Sequence, residues 1–417
     1  MRLVHAADLH IDSPLRGLER YEGAPVDQIR GATRRAFENL IDLCLRESAD
    51  ALLLAGDLYD GDWKDYGTGL FFAAQLARLR DSGARVYLVR GNHDAASQVT
   101  RSLKLPDHCR ELRTGGPETV IDEALGLAIH GQGFATREVS DDLAAGYPEA
   151  VPGLLNVGLL HTSLDGRAGH ASYAPASLAT LRSRGYDYWA LGHVHEREVV
   201  STEPWVVFPG NLQGRHARET GAKGATLIEV ADGRIVSVAH RELDVVRWAR
   251  CEVDATDAAS PADVIDLFAA RIEEAVAEAD GRLLAARFVL SGASRAHAAL
   301  VAREEHWLSE IRACALDRVG EAAWIEKIQL RTRASVDLDA LARQDDAVGH
   351  LIRALRAVRG SPESLLELAG ELADLRKALP AEVREGEDGL RLDDPAWLAE
   401  ALADVERGIL PRLLSED

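Results

Sequence analysis

Side chains that can bind metal ions recur in this sequence directly after short apolar runs. The run Ala51–Ala55, for example, ends in Gly56 and Asp57, as expected when a buried parallel strand delivers a carboxylate to the carboxyl edge of its sheet. Ligand sites in open α/β sheets lie at that edge, so we expect the residues that follow such strands to meet there. The residues in this position are Asp8, His10, Asp57, Asn92, His93, His161, His193 and His195.

The types and spacing of these residues favour a metal centre. Asp8-Leu-His10 and His193-Val-His195 each place two side chains on one face of an extended segment. A mixed set of carboxylate, imidazole and amide ligands suits Mn²⁺ first, and Fe or Zn²⁺ also, better than Mg²⁺, which prefers oxygen. One carboxylate shared by two ions holds them roughly 3.5–4 Å apart, the spacing used in phosphoryl chemistry. Any single histidine could instead be a hydrogen-bonded core residue, but the repetition in separate segments favours the metal centre.

The composition is that of a soluble globular protein with an acidic surface. The 417 residues are 47% hydrophobic and 28% charged, and they contain no apolar run of about 18 residues. The N-terminus continues directly into a strand without a secretion signal, and the four cysteines lie far apart, so we expect a reduced, cytoplasmic protein. The net charge of −20 argues against a protein that coats DNA, but it does not exclude a nuclease whose bound cations supply local positive charge.

The region 1–243 predicts an α/β domain. Strand-like runs lie at 2–7, 51–55 and 85–89, and helical periods lie between them at 26–47 and 69–81. From about residue 119 the strands come closer together, and only short helices near 138–145 and 175–183 intervene. We therefore expect a second, more antiparallel sheet, which includes 226–230 and 235–239, packed on the first. The predicted fold class is α/β, with a two-sheet β-sandwich flanked by helices.

Two further regions follow this domain. The region 244–334 has the order β-α-β-α-β and predicts a small α/β domain. The region 335–417 predicts helices at 338–358, 361–379 and 395–410.

Several sequence motifs carry a resemblance to a known family. These motifs are Asp8-Leu-His-Ile-Asp-Ser-Pro14, Gly56-Asp-Leu-Tyr-Asp60, Gly91-Asn-His-Asp94, His161, Gly192-His-Val-His195 and Pro209-Gly-Asn-Leu-Gln-Gly-Arg-His216. They resemble the motif series of the calcineurin-like metallophosphoesterases, and within these the SbcD-type DNA repair exonucleases and their YhaO-like branch. The resemblance covers residues 1 to about 240 and implies the metallophosphoesterase fold.

The resemblance implies two ion sites that share one carboxylate. The first site is Asp8, His10, Asp57 and His195, and the second is Asp57, Asn92, His161 and His193. It also implies that His93 is not a ligand but lies beside the site, where it donates a proton to the leaving oxygen or stabilises charge on the phosphate. In this chemistry two cations neutralise the phosphodiester and lower the pKa of a water, which attacks phosphorus as hydroxide.

Two features depart from the family pattern or lie beside it. Asp60 stands at a position where the better-known repair nucleases have a histidine. We expect Asp60 to accept the ring N–H of His93. The alternative is that Asp60 is a helix N-cap or an exposed acid in a loop. Arg215, His216 and Arg218 form a basic cluster that could contact substrate phosphates or could be a solvated loop.

The resemblance implies a metal-dependent exonuclease of DNA repair, which can also have endonuclease activity. A phosphodiesterase of small or cyclic nucleotides and a non-catalytic DNA-end scaffold for an ATPase partner are the alternatives. The implied partners are DNA and a coiled-coil SMC-like ATPase, and a homodimer is allowed. The region 244–334 would then be the capping domain, and the helical tail the docking element. The apolar stripe of that tail is Leu351, Ile352, Leu355, Leu365, Leu366 and Leu368.

Overall fold

The apolar runs that precede the polar site residues form neighbouring parallel strands. The computed structural model describes residues 1–13, 25–60, 66–95, 104–165, 173–335, 341–384 and 389–414. In the second strand, Ala51–Ala55, every residue is buried, because alternate side chains enter two different cores. A strand covered on both faces needs an uninterrupted apolar run, which explains the sequence signal.

The strands of the described residues are β1 Arg2–Ala6, β2 Ala51–Ala55, β3 Arg85–Val89, β4 Cys109–Glu111, β5 Glu118–Asp122, β6 Leu127–Gly131, β7 Leu155–His161, β8 Tyr188–Gly192, β9 Glu198–Thr202, β10 Trp205–Phe208, β11 Gly224–Ala231, β12 Arg234–Glu242, β13 Val246–Asp254, β14 Leu283–Ser294 and β15 Ala323–Ala334. The helices are α1 Val26–Arg30, α2 Ala32–Arg46, α3 Tyr66–Ala77, α4 Asn92–Ala95, α5 Leu178–Ser183, α6 Pro261–Glu278, α7 His297–Ala302, α8 Glu304–Val319, α9 Ala347–Arg359, α10 Pro362–Glu371, α11 Ala373–Ala378, α12 Ala381–Arg384 and α13 Pro395–Leu414. Short 3₁₀ turns lie at Leu143–Gly146 and Gly320–Ala322.

Two six-stranded sheets and one three-stranded sheet organise these elements. The first sheet has the order β12-β11-β1-β2-β3-β4, and β1 to β4 run parallel. The second has the order β5-β6-β7-β8-β10-β9, and the third has the order β13-β14-β15. The predicted fold class, an α/β two-sheet sandwich flanked by helices, is confirmed.

The expected antiparallel character of the second sheet is wrong at its centre. Strands β6, β7, β8 and β10 run parallel, and only the edge strands β5 and β9 pair antiparallel. The predicted strands at 226–230 and 235–239 are β11 and β12, which extend the first sheet instead. Parallel neighbours need a crossover connection of about a dozen residues or more, and the segments that join β6 to β7 and β7 to β8 are long enough for one.

The two six-stranded sheets bury a shared apolar core. Leu53 of the first sheet and Ile129 and Val157 of the second are each 0% exposed in that core. Phe37 of α2 and Phe72 of α3 belong to a second core, which covers the other face of the first sheet. Each such buried side chain contributes about 1.5–3 kcal/mol, so the strand ends rest on a rigid base.

The chain divides into two compact units. The first comprises Met1–Arg250, Glu278–Ala286 and Ala322–Glu326, and the second comprises Cys251–Ala277, Arg287–Glu321 and Lys327–Asp417. The predicted domain boundaries at 243/244 and 334/335 stay a prediction. Within the part of the chain that the structure describes, no helix has the length and apolar character needed to span a bilayer.

The helical tail buries two of the six residues of its apolar stripe. Ile352 is 0% and Leu365 6% exposed, whereas Leu366 is 60% exposed. A docking surface on these helices therefore has Leu366 available, but it cannot use the two buried residues without rearrangement.

Asp12, which follows β1, ties the start of the chain to two helices. Its carboxylate accepts hydrogen bonds from Arg34 Nε at 2.7 Å and from Thr68 Oγ1 at 2.5 Å. The arginine and the hydroxyl hold the pKa of Asp12 below its usual range, although burial acts in the opposite direction. This residue serves the packing of α2 and α3.

Glycines at the strand ends allow the two sheets to approach each other. A Cβ on Gly56, whose φ is +90°, would lie 2.6 Å from His161 Nδ1. A Cβ on Gly91 would overlap the Asp57 carboxylate, and one on Gly192 would overlap the last main-chain oxygen of β2. These positions lack room for any side chain, so the glycines permit the close packing beneath the site.

We predict that Gly91→Ala lowers the free energy of unfolding by about 1–3 kcal/mol, because the added methyl group must displace Asp57. Denaturant unfolding in the presence of a chelator measures this change without a contribution from bound metal. Gly115→Ala is the matched control, since its Cβ would meet no atom within 4 Å, and it should change stability by less than about 0.5 kcal/mol. Equal stability of the two variants would show that the crowding is not real.

Candidate metal centre

The structure brings the predicted site residues together at the carboxyl ends of parallel strands in both six-stranded sheets. Asp8 and His10 follow β1, Asp57 follows β2, and Asn92 and His93 begin α4 after β3. On the second sheet the histidines are His161, the last residue of β7, and His193 and His195, which follow β8. Potential ligand atoms lie within 4.8 Å of one another in three groups, namely Asp8, His10 and His195; His10, Asp60 and His93; and Asp57, His161 and His193.

The backbone at these positions is strained. Asp8, His10 and Asp57 have φ values of 52°, 43° and 52°, and His193 has a φ of 103°. Such conformations cost about 1–3 kcal/mol each for residues other than glycine, and they cluster at functional sites. Main-chain hydrogen bonds hold two of these residues in place. The N–H of Asp8 donates to Gly56 O at 3.0 Å, and the N–H of His10 donates to Asp57 O at 3.1 Å.

Asp57 lies between the two groups of histidines. Its Oδ1 accepts the main-chain N–H of His93 at 3.0 Å, and its Oδ2 lies 3.5 Å from His161 Nε2 and 3.9 Å from His10 Nε2. The residue is 1% exposed. Burial raises the pKa of its carboxyl, but the charge and hydrogen bond of His161 and the charge of His10 outweigh burial and hold it well below the usual range. The carboxylate is therefore ionised.

The neutral form of the His161 ring would present a lone pair to two oxygens. Its Nδ1 donates to Ala55 O at 2.9 Å, so Nε2 of the neutral ring carries no proton. This Nε2 lies 3.0 Å from Asn92 Oδ1 and 3.5 Å from Asp57 Oδ2, and both oxygens are acceptors. Burial opposes protonation of the ring, but the charge and hydrogen bond of Asp57 and the charge of Asp8 raise the pKa of His161 to about 9, so at neutral pH Nε2 holds either a proton or a metal ion in its place. Three electron-rich atoms that converge in this way fit a cation.

The second group of ligand atoms has the same character. The Nε2 atoms of His10 and His195 lie 3.2 Å apart, and His195 Nε2 lies 3.9 Å from Asp8 Oδ1. His195 Nδ1 donates to Glu219 Oε1 at 2.7 Å, which leaves its Nε2 lone pair facing the group. Burial raises the pKa of Asp8 to about 6, although the N–H of His193 and the charge of His195 oppose this.

His93 and Asp60 form the contact that the sequence predicted. His93 Nδ1 lies 3.0 Å from Asp60 Oδ1, and Asp60 Oδ2 accepts the hydroxyl of Ser13 at 2.7 Å. Burial lowers the pKa of His93, but the hydrogen bond to Asp60 and the charges of Asp57 and Asp60 raise it overall. His93 is thus held beside the candidate ligands, with its ring centroid 5.0 Å from that of His10.

The predicted basic cluster is not a single surface. Arg215 has a side-chain exposure of 15%, and its NH2 donates to Glu219 Oε1 at 3.1 Å. The side chain of His216 is 47% exposed, and Arg218 is also exposed. The structure therefore brings Arg215 to the centre and leaves His216 and Arg218 exposed, with His216 Nε2 3.7 Å from Glu219 Oε1.

Glu219 is a site residue that the sequence reasoning missed. It is 7% exposed, and its oxygens accept from His195 Nδ1 at 2.7 Å and from Asn211 Nδ2 at 2.8 Å. Burial raises its pKa, but the contacts with His195 and Arg215 hold it well below the usual range. An acid four residues after Arg215 was the available signal.

Asp94 is a second missed residue. It is 0% exposed, and its oxygens accept the main-chain N–H groups of Leu58 at 3.0 Å, Tyr59 at 3.1 Å and Gly91 at 2.9 Å. Burial and the charge of Asp57 raise its pKa to about 7. Its contacts connect the loops after β2 and β3, and its position directly after Asn92-His93 was the available signal.

Two parts of the chain match known protein families. Residues 1–197 match the family model described as calcineurin-like phosphoesterase, and residues 248–333 match the one described as the middle domain of metallophosphoesterase YhaO. The uncharacterized metallophosphoesterase YhaO of Bacillus subtilis (strain 168) is 37% identical over 262 residues, which are 62% of this chain and 64% of the relative.

More distant relatives have names from DNA repair. The DNA double-strand break repair protein Mre11 of Methanopyrus kandleri is 26% identical over 285 residues, which cover 60% of this chain and 58% of that protein. A component of the nuclease SbcCD of Rhodobacter capsulatus is 35% identical over 140 residues, which cover 33% of this chain and 28% of that protein. The chain thus spans less than two thirds of the length of these relatives. It carries a calcineurin-like metallophosphoesterase domain, and it is similar to YhaO and, at lower identity, to Mre11 and SbcD proteins.

Proposed function

We propose that this metallophosphoesterase hydrolyses the phosphodiester bonds of DNA, as an exonuclease that can also have endonuclease activity, in DNA repair. The observation that carries the proposal is the position of the Asp57 carboxylate between His161 and His10, with His93 beside them. The names of the Mre11 and SbcCD relatives support DNA as the substrate. We place this activity in the cytoplasm.

Two divalent ions, with Mn²⁺ as the preferred metal, are the cofactors that the side chains would hold. Asp8, His10, Asp57 and His195 would hold one ion, and Asp57, Asn92, His161 and His193 would hold the other. The mixture of nitrogen and oxygen donors supports Mn²⁺, and Fe or Zn²⁺ would also suit it. When bound, such ions supply the positive charge that stabilises a phosphodiester under attack and that lowers the pKa of a water molecule.

His93 is the proton donor of the proposed reaction. Its Nδ1 is engaged by Asp60, so its other ring nitrogen is the one that protonates the leaving oxygen. The raised pKa keeps the ring protonated up to a higher pH than that of a free histidine, and the donor is lost as the pH rises through that pKa. Asp57 fixes the donor, because it accepts the main-chain N–H of His93.

A coiled-coil SMC-like ATPase is the proposed protein partner. One relative is named as part of the nuclease SbcCD, which supports a second protein component. The helical tail is the proposed docking element, with the exposed Leu366 as its apolar contact.

The shared carboxylate predicts an asymmetry in metal binding. Isothermal titration of metal-free protein with Mn²⁺ should show two binding events for the wild type. Asp57→Asn should weaken both binding events by more than about tenfold, because the loss of a residue that merely contacts a metal ligand already lowers metal affinity by that factor. His10→Ala should weaken mainly one binding event. Asp122→Asn, a change to a half-buried acid that pairs with Arg85, should alter neither. A single lost event in Asp57→Asn would contradict the bridging role.

The substrate is tested with labelled single- and double-stranded DNA in the presence of Mn²⁺. Wild type should digest DNA, and His93→Ala should lower kcat by about 10²–10⁴-fold while it still binds two equivalents of Mn²⁺. Cleavage of a cyclic nucleotide with every DNA left intact would replace the nuclease with a small-nucleotide phosphodiesterase. Retention of DNA ends without any hydrolysis would indicate the non-catalytic scaffold.

Partner docking is tested by co-purification of the full-length chain with the coiled-coil ATPase of the same organism. Leu366→Asp should reduce recovery at least tenfold, because a buried charge in an apolar contact is costly. Leu316→Asp, which changes a 69% exposed leucine of α8, is the matched control and should leave recovery unchanged. Equal recovery of both variants would remove Leu366 from the docking surface.

A further inference from the structure

Two histidines at the metal centre are each held by a carboxylate, and one arginine lies between the two carboxylates. Glu219 Oε1 accepts from His195 Nδ1 at 2.7 Å, and Asp60 Oδ1 lies 3.0 Å from His93 Nδ1. We propose that Arg215 bridges these two pairs and is a positioning residue, not a substrate-binding one. This inference rests on the proposed function, since it concerns the same site.

The contacts of Arg215 reach both carboxylates. Its NH2 lies 3.1 Å from Glu219 Oε1, its Nε lies 3.4 Å from Glu219 Oε2, and its NH1 lies 3.9 Å from Asp60 Oδ2. Its main-chain N–H also donates to Glu219 Oε2 at 2.8 Å. A planar guanidinium with donors in a fixed fork can make these contacts together, whereas the single ammonium of lysine cannot.

Glu219 is enclosed by the protein. Besides His195 and Arg215, it accepts the side-chain amide of Asn211 at 2.8 Å, and it is 7% exposed. Both carboxylate oxygens are therefore occupied by donors of this chain. Because both oxygens already accept hydrogen bonds, this carboxylate has no oxygen left for a metal ion or a substrate. Its role is therefore to orient the side chains that donate to it.

The contact with Glu219 decides which nitrogen of His195 faces the metal centre. A carboxylate can only accept, so Nδ1 carries the proton and Nε2 presents a lone pair towards Asp8 and His10. Arg215 NH2 also lies 3.2 Å from Nδ1 of His195. Since a guanidinium only donates and Nδ1 already carries its proton, this close approach shows tight packing of the arginine on the ring and is not a hydrogen bond.

Removal of the bridge should disturb both histidines. Without Arg215, the carboxylates of Glu219 and Asp60 lose the positive charge that they share, and the histidines that they hold lose their fixed orientation. An arginine that bound the substrate equally in the ground state and the transition state would act on KM instead. The two roles therefore predict different kinetic changes.

The test uses the full-length chain and two readouts, Mn²⁺ titration of the metal-free protein and hydrolysis of labelled DNA, whose leaving oxygen needs the proton that His93 donates. Arg215→Ala and Arg215→Lys should each lower kcat by about 10–100-fold and change KM by less than about twofold. Glu219→Gln should weaken one of the two Mn²⁺ binding events by about 10–100-fold. The double variant Arg215→Ala with Asp60→Asn should be no slower than the slower single variant, because the residues act as one unit.

Glu118→Gln is the matched control. Glu118 has a side-chain exposure of 9%, accepts the main-chain N–H of Arg113 at 3.0 Å and pairs with Arg110, so the same substitution removes an acid of similar side-chain exposure. This variant should leave both readouts at their wild-type values.

Three results would separate the possible failures. A raised KM with an unchanged kcat in Arg215→Ala, or an unchanged Mn²⁺ titration in Glu219→Gln, would overturn the positioning role. A wild type that binds no Mn²⁺ and does not hydrolyse DNA would overturn the proposed function itself. If Arg215→Ala does not fold, the Mn²⁺ titration of Glu219→Gln and the kinetics of Arg215→Lys decide the question.

Discussion

The buried carboxylate of Asp57 is the constraint on which the candidate metal centre depends. An ionised group that is 1% exposed costs several kcal/mol unless donors or cations surround it. One of its oxygens takes the main-chain N–H of His93, and the other faces His161 and His10. Asp57 itself follows β2, and the ends of β1, β3, β7 and β8 each deliver a partner or a neighbour of its side chain. The two-sheet sandwich is the scaffold that makes such a convergence possible.

This convergence requires unfavourable backbone conformations that the core must offset. Left-handed residues at Asp8, His10 and Asp57 cost about 1–3 kcal/mol each, and the glycines at the strand ends remove the side chains that would block the approach. Apolar strands buried on both faces supply the stabilisation that outweighs this cost. The strain and the core thus belong to one design, in which a rigid interior holds a polar site.

The sequence predicted the local elements better than their pairing. Runs such as Ala51–Ala55 indicate buried strands, because both faces of such a strand are apolar. The pairing of β11 and β12 with the first sheet, and the parallel centre of the second, depend on contacts between distant segments. Spacing alone does not distinguish a hairpin from a crossover when the connection is long. The expectation of an antiparallel second sheet was wrong for this reason.

The sequence by itself determined the ligand types, their positions after apolar runs, and the resemblance to the metallophosphoesterases. The tertiary structure decided which side chains share a partner. It places Asp60 against His93, it leaves His216 and Arg218 exposed, and it adds Glu219, which no spacing rule connects to His195. The physical reason is that a strand pattern states where a chain becomes polar, whereas a hydrogen bond between residues far apart in sequence depends on how the loops are packed.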